Sequence, residues 1–368
     1  MLMTTIASDP PVDDMGGDQL TDSVLDVNIE SKLRAIEESL GSMKRVLVAY
    51  SGGVDSALLA VAAHRVLGDN AVAVTADSES YARGELEAAV TIARQFGIPH
   101  RVVHSRELDN PAYASNPINR CYFCKHELFT HMQAIALAED VDCILYGQNA
   151  DDVGDFRPGA QAATEFGVRA PLLEAAMTKA DVRSLARSWN IPVWDRPATA
   201  CLSSRFPYGT PVTSKGLRMV DDAERMLREH GFAQLRVRHH DSIARIELTA
   251  DQMPRILTDE ALRAVVASEL TDAGYALAVL DLRGFRSGSL NEVLASSDSP
   301  VCAVADDPTG VADMETLAAT RHGQILVVEM SNAHITRLAD PSLRADFVQQ
   351  LASAPDVHYV AIQLTNPA

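Results

Sequence analysis

Between residues 45 and 195, short apolar runs alternate with stretches whose apolar residues recur at helical spacing. Val46–Tyr50, Ala71–Thr75, Arg101–His104 and Asp142–Gly147 read as strands. Ala57–Leu67, Gly84–Phe96, Lys125–Glu139 and Lys179–Trp189 read as helices. This rhythm predicts an α/β fold, a doubly wound parallel sheet with helices on both faces. Ligands of such sheets bind beyond the carboxyl ends of the strands. Ser51, Thr75, His104 and Gly147 would border that crevice.

From about Pro207 the pattern changes. Thr213–His230 is helical, Gln234–His239 and Ala244–Thr249 form a strand pair, Glu260–Ala273 is helical and Leu277–Leu282 is a further strand. A smaller α+β domain is expected. A faint repeat follows, in which Arg245–Leu282 resembles Val327–Leu364. Glu247 falls on Glu329, Arg255 on Arg337, and Leu262-Arg263-Ala264 on Leu343-Arg344-Ala345. Duplication and chance alignment of two amphipathic βαβ units both stand. The second copy offers no counterpart of the strand Arg236-Val237-Arg238, so a structural or assembly role is expected of it.

The 368 residues carry a net charge of −18 and are 47% hydrophobic, with no apolar run of 18 residues. No transmembrane helix is expected. No Lys or Arg precedes Lys32, and no signal-peptide core is present, so a cytoplasmic location is the default. Residues 1–30 hold seven acidic residues, and residues 1–28 are expected to be a disordered acidic tail. The acidic balance argues against a general nucleic-acid binder. Five cysteines without a secretory signal do not suggest a disulfide framework.

Ser51-Gly52-Gly53-Val54-Asp55-Ser56 joins the first strand to the first of these helices. Its glycines let backbone N–H groups converge, and the helix start adds positive potential, which suits a phosphate. It is not a Walker A loop, because no Gly-Lys-Ser/Thr follows. The S-G-G-x-D-S order resembles the PP-loop of ATP pyrophosphatases. Asp77 is a weaker nucleotide candidate. Asp151 and Asp152, after a strand end, can hold Mg²⁺ against ATP phosphates or can simply form a capped turn.

Cys121 and Cys124 stand three apart at a helix start, where both sulfurs can face one metal or cluster. Arg120, Lys125 and the helix N-terminus would favour thiolate. Alone, the pair fits zinc, redox chemistry or structure. Cys201 lies at the domain junction beside Ser203, Ser204 and Arg205. Three cysteines are awkward for structural zinc but leave one iron of a four-iron cluster open. Cys143 and Cys302 read as small core residues. Arg236 and Arg238 share one strand face and, with Arg205, can grip a phosphate monoester. Glu224 and Glu247 would balance them.

Together these blocks resemble the LarE family, the ATP-dependent sulfur transferases of nickel-pincer nucleotide biosynthesis. The matching stretches are S-G-G-V-D-S at 51–56, N-P-I-N-R-C-Y-F-C-K at 116–125, G-Q-N-A-D-D at 147–152 and F-R-P-G at 156–159. They continue with A-C-L-S-S-R-F-P-Y-G at 200–209, R-V-R-H at 236–239 and A-R-I-E at 244–247. The resemblance covers about residues 30–291. It implies a PP-loop domain at 29–197, a substrate and sulfur-transfer domain at 198–292, and an extra segment at 293–368. It further implies adenylation of a carboxylate of pyridinium-3,5-dicarboxylate mononucleotide, then displacement of AMP by sulfur. ATP, Mg²⁺ and a [4Fe-4S] cluster on Cys121, Cys124 and Cys201 are the implied cofactors, with an external sulfide donor. The alternatives are sacrifice of the Cys201 sulfur, a PP-loop tRNA thiolase, or a non-catalytic nucleotide-binding or iron–sulfur regulatory protein. The family leaves homo-oligomers expected.

Overall fold

The computed structural model describes residues 27–154, 157–197, 199–286, 289, 314, 316–352 and 357–364. Strands β1 (Val46–Ala49), β2 (Ala71–Asp77), β3 (His100–His104) and β4 (Cys143–Tyr146) form a parallel sheet in the order β3-β2-β1-β4. All four residues of β1 are buried, because both faces of the strand are covered. Val46 and Val48 face one core with α1 (Val27–Gly41), α2 (Val54–Leu67) and α8 (Lys179–Ser188). Leu47 and Ala49 face the other, packed by α5 (Arg120–Ala138) and α6 (Pro158–Glu165). The doubly wound architecture expected from the apolar rhythm is therefore present.

Helix α1 is missing from the sequence reading, because its apolar residues are sparse. Only Ile29, Ile36 and Leu40 of its fifteen residues are buried. It also corrects the tail boundary: the helix begins at Val27, and residues 1–26 lie outside the described residues.

A second, six-stranded mixed sheet follows, in the order β5-β6-β7-β10-β9-β8. Its first half is β5 (Leu235–His240), β6 (Ile243–Leu248) and β7 (Leu277–Asp281), with α9 (Ser214–Glu229) leading in. Helices α10 (Met253–Thr258) and α11 (Glu260–Asp272) connect β6 to β7. Its second half is β8 (Thr316–His322), β9 (Ile325–Met330) and β10 (Tyr359–Gln363), with α12 (Asn332–Arg337) and α13 (Pro341–Leu351) between β9 and β10. The sequence reading left no strand ahead of β9. One is there, β8, antiparallel to β9 as β5 is to β6. It went unseen because Thr316-Leu-Ala-Ala-Thr-Arg-His lacks the paired arginines that marked β5. The helices share one apolar core on one face of this sheet. On the other face β5, β6 and β7 present a charged network. No helix among the described residues is long and apolar enough to cross a membrane.

Candidate active site

The turn between β1 and α2 is built around two glycines with different duties. Gly52 has φ +69°, and a Cβ there would stand 2.9 Å from the Ala89 Cβ. Only glycine fits. Gly53 is extended (φ −74°, ψ 160°), and a Cβ there would meet nothing closer than Ser51 Oγ at 3.6 Å. Its free side is where a ligand approaches. Gly147, after β4, packs so close to α2 that a Cβ would lie 2.8 Å from the Ser56 nitrogen. The first-turn N–H groups of α2 have no intrahelical acceptors, which makes the turn an anion cradle. Ser56 Oγ accepts from the Ser51 amide at 3.2 Å and donates to the Gly53 carbonyl at 3.0 Å.

Asp55 is held by the Lys179 ammonium and by Asn149 Nδ2 at 2.9 Å. Both partners escaped the sequence reading as site residues. The signal was Lys179 at the first turn of α8, directly after the Thr178 cap. The loop opens on a pocket of about 330 Å³ lined by Ser51, Gly53, Asp55, Cys121, Lys125 and Arg157. Asp77 is not part of that pocket. It lines a separate cleft of about 750 Å³ with Ser78, Tyr81 and His104, and Tyr81 Oη links the two by donating to the Ser51 carbonyl at 2.7 Å.

Asp151 and Asp152 both serve the turn that carries them. Asn149 caps the turn, and Asp152 returns the bond by accepting from the Asn149 amide at 3.1 Å. Asp152 also pairs with Arg157 at 2.6 Å. Asp151 accepts from the Lys179 amide at 2.8 Å. Of the two, Asp152 alone lines the pocket. Among the described residues, no three His, Cys, Asp or Glu side chains stand close enough to share one metal ion.

Three segments meet around the cysteines. Leu202 N donates to the Ser80 carbonyl, Gly209 N to that of Asn116, and Val212 N to that of Ala114. Asn116 takes φ +56° and donates to the Phe206 and Pro207 carbonyls at 3.3 and 2.7 Å. Buried Arg120 donates to Asn116 and to the Ser203 carbonyl. Tyr113 Oη bonds Ser203 Oγ at 2.7 Å in the same buried seam. Cys121, Cys124 and Cys201 act on one another electrostatically here. Burial, then neighbouring Cys201, pushes the Cys121 thiol up, although Arg120 and Lys125 pull the other way. Burial and then the Glu107 carboxylate raise Cys124 well above the usual thiol range. At Cys124 enclosure outweighs the helix start and the neighbouring cation, against the expectation of a helix-favoured thiolate there. Cys143 is half-buried at the edge of one core, and Cys302 lies outside the described residues.

The arginines differ from the sequence expectation in their division of labour. Arg205 is fully buried and bidentate to Glu224, with both bonds at 2.8 Å. Its remaining head group holds the Ala200 and Cys201 carbonyls at 2.6 and 2.9 Å and Ser204 Oγ at 3.0 Å. Arg205 thus clamps the Cys201 loop, with most of its donors spent on Glu224 and that loop. Arg238 binds Glu247 Oε2 through Nε and Nη2 at 3.0 and 2.8 Å, and the Ser204 carbonyl through Nη1 at 3.0 Å. Among the described residues Arg236 donates only to the neighbouring Leu235 carbonyl, and it lies 5.2 Å from the Phe285 ring centroid. Burial and then Arg205 lower Arg236 to about 10, so it stays cationic at neutral pH without a carboxylate of its own. Glu224 is the hinge of this arrangement. It takes Arg205 and Arg228, and burial makes it costly to leave either unpaired. Glu224→Ala is expected to destabilise the fold by about 3–5 kcal/mol, as breaking a buried ion pair does. Urea unfolding measures it, and a loss under about 1 kcal/mol would assign the pair a minor role.

The asparagine synthase family model matches residues 31–190, the part that holds the first sheet and the PP-loop. An uncharacterized protein of Synechocystis sp. is 46% identical over 266 residues, 72% of this chain and 99% of that protein. The pyridinium-3,5-bisthiocarboxylic acid mononucleotide synthase of Lactiplantibacillus plantarum is 35% identical over 270 residues, 73% of this chain and 97% of that protein. The chain belongs to the LarE family. This LarE-family protein is an ATP-dependent sulfurtransferase. The GMP synthase of Rippkaea orientalis is 38% identical over 102 residues, 27% of this chain and 19% of that enzyme. More than a quarter of the LarE-family chain has no counterpart in the first two relatives.

Proposed function

We propose that the enzyme adenylates a carboxylate of pyridinium-3,5-dicarboxylate mononucleotide and replaces the adenylate with sulfur to leave a thiocarboxylate. The observation that carries this reading is the shared pocket: Cys121 opens onto the same 330 Å³ space as the PP-loop. A carboxylate oxygen is a poor leaving group, and AMP is a good one. The carboxylate attacks the α-phosphorus and pyrophosphate departs into the cradle of Ser51, Gly53 and the α2 N-terminus. Lys179 and Lys125 offset the negative charge that develops, with Mg²⁺ bound on the ATP phosphates. The adenosine half extends past Tyr81 into the larger cleft where Asp77 lies. Sulfur then attacks the acyl carbon and AMP departs.

A [4Fe-4S] cluster is the reading that the three-cysteine pattern of the LarE family supports, with the segments of Cys121, Cys124 and Cys201 meeting in one seam. Cys121, Cys124 and Cys201 would hold it, and when bound it would supply an iron that carries the transferred sulfide. Metal loading of thiols releases their protons and so weakens as pH falls. Iron and sulfide analysis after anaerobic purification tests this assignment, together with pyrophosphate release that depends on the nucleotide substrate.

The substrate phosphate falls to Arg236, with the remaining N–H of Arg238 Nη1 beside it. A lost charge-assisted contact costs on the order of 1.5–3 kcal/mol. Arg236→Ala is therefore expected to raise the KM for the nucleotide substrate by roughly tenfold or more and to leave the KM for ATP unchanged. A rise in the KM for ATP alone would assign this arginine to the wrong phosphate.

A further inference from the structure

Strands β7 and β10 pair antiparallel about the contact of Leu280 with Ile362, so Asp281 meets Ala361 and Val279 meets Gln363. On either side the same order recurs: a parallel neighbour, then an antiparallel outer strand. The registers correspond position by position. Ile243 meets Leu277 as Ile325 meets Tyr359, and His240 meets Ile243 as His322 meets Ile325. Buried arginines correspond too. Arg263 donates to the Ile256 and Leu257 carbonyls at the end of α10, and Arg344 to the Leu338 and Ala339 carbonyls that follow α12. The anion-binding face does not correspond. Where the first half has Arg236, Arg238, Arg245 and Asp281, the second has Ala318, Thr320, Val327 and Gln363.

One residue of the second half nonetheless reaches the charged network of the first. Arg245 is fully buried. Its Nε donates to His240 Nε2 at 3.2 Å, and its Nη1 donates to Glu247 Oε1 at 3.0 Å and to Asp281. Its Nη2 has no hydrogen-bond partner among the described residues. The guanidinium carbon lies 3.6 Å from the ring centroid of Tyr359, so the aromatic face covers that side of the group. Tyr359 Oη also reaches the Ser289 carbonyl at 3.5 Å, and Ser289 Oγ bonds both Glu247 Oε1 and Arg238 Nη2 at 2.9 Å. Glu247 is thus fixed from behind by Arg245 and Ser289, and its free oxygen fixes Arg238.

We propose that the C-terminal half of the second sheet is a duplicated copy of the first that has lost its own anion site, and that its Tyr359 is a positioning residue for Arg238. The ring holds Arg245, Arg245 holds Glu247, and Glu247 sets the direction of Arg238 beside Arg236. This rests on the reading that Arg236 and Arg238 bind the substrate phosphate.

The test compares Tyr359→Phe, Tyr359→Leu and Arg236→Ala in the full chain, each measured for KM toward the nucleotide substrate and toward ATP. Phenylalanine keeps the ring face and leucine keeps apolar bulk without it. Tyr359→Leu is expected to raise the KM for the nucleotide substrate about tenfold at unchanged KM for ATP. Tyr359→Phe is expected to stay near the parent enzyme. A merely structural role would move both KM values or neither. Unchanged substrate KM in Tyr359→Leu, or an equal loss in Tyr359→Phe, overturns the proposal while Arg236→Ala still reports on the phosphate site. If Arg236→Ala is also silent, the phosphate reading fails first. Should Tyr359→Leu not fold, Tyr359→His keeps a planar ring but not its electron-rich face, and the same tenfold rise is expected. No rise in that variant overturns the proposal.

Discussion

Cys121→Ala is expected to abolish sulfur transfer in the anaerobically purified enzyme while substrate-dependent pyrophosphate release continues. Cys121 is the cysteine that opens to the PP-loop pocket, and Cys124 is packed behind it near Glu107. If sulfur comes through a cluster held by all three cysteines, removing one ligand stops delivery, and Cys201 keeps its mass after turnover. The competing route uses Cys201 itself. Its thiolate would displace AMP to form a thioester. Loss of the Cys201 α-proton would then break the Cβ–Sγ bond, leaving the thiocarboxylate on the substrate and dehydroalanine at 201. That residue is lighter by H₂S, about 34 Da. Intact-mass measurement after a single turnover separates the two. A dehydroalanine at 201, with one full turnover by Cys121→Ala and no iron on anaerobic isolation, would overturn the cluster assignment.

Gly53→Val is expected to remove ATP binding from an intact fold. The backbone at Gly53 is extended, a conformation that valine prefers, and no protein atom would crowd the added Cβ. What the side chain blocks is the open side of the loop, where phosphate oxygens meet the amides. Loss of two charge-assisted hydrogen bonds corresponds to about 100-fold weaker binding or more. Titration calorimetry with ATP, beside a thermal melt that matches the parent, measures it. Unchanged affinity would move the pyrophosphate elsewhere. Gly52→Val is not an equivalent test, since its φ of +69° and the approach of Ala89 would break the turn itself.

The parallel sheet was legible in the sequence because each strand is buried on both faces and reads as an unbroken apolar run. The PP-loop was legible because its chemistry demands two glycines at fixed spacing. Division of labour among the arginines was not. Arg205, Arg236 and Arg238 look alike as letters, and only three-dimensional pairing shows that Glu224 and two carbonyls occupy the first. The thiol environment was misjudged for a similar reason. Helix start and neighbouring cations are local and visible, whereas Ser203 and the segment after Cys201, which close the seam, come from about eighty residues further along the chain. Asn149 and Lys179 are separated from Asp55 by about a hundred residues or more, so nothing along the chain advertises their convergence.

The pairing of β7 with β10 joins strands about eighty residues apart, so β10 leaves the ribosome well after β7. At a synthesis rate of about 5–20 residues per second, the edge of β7 waits roughly 4–16 s for its partner. During that interval Leu277-Ala-Val-Leu is an uncovered, apolar sheet edge, the kind that recruits another chain. Nascent molecules on one messenger therefore share a common sticky edge until β10 arrives. Yield of soluble enzyme should then depend on translation speed and chaperone supply more than on the stability of the finished fold.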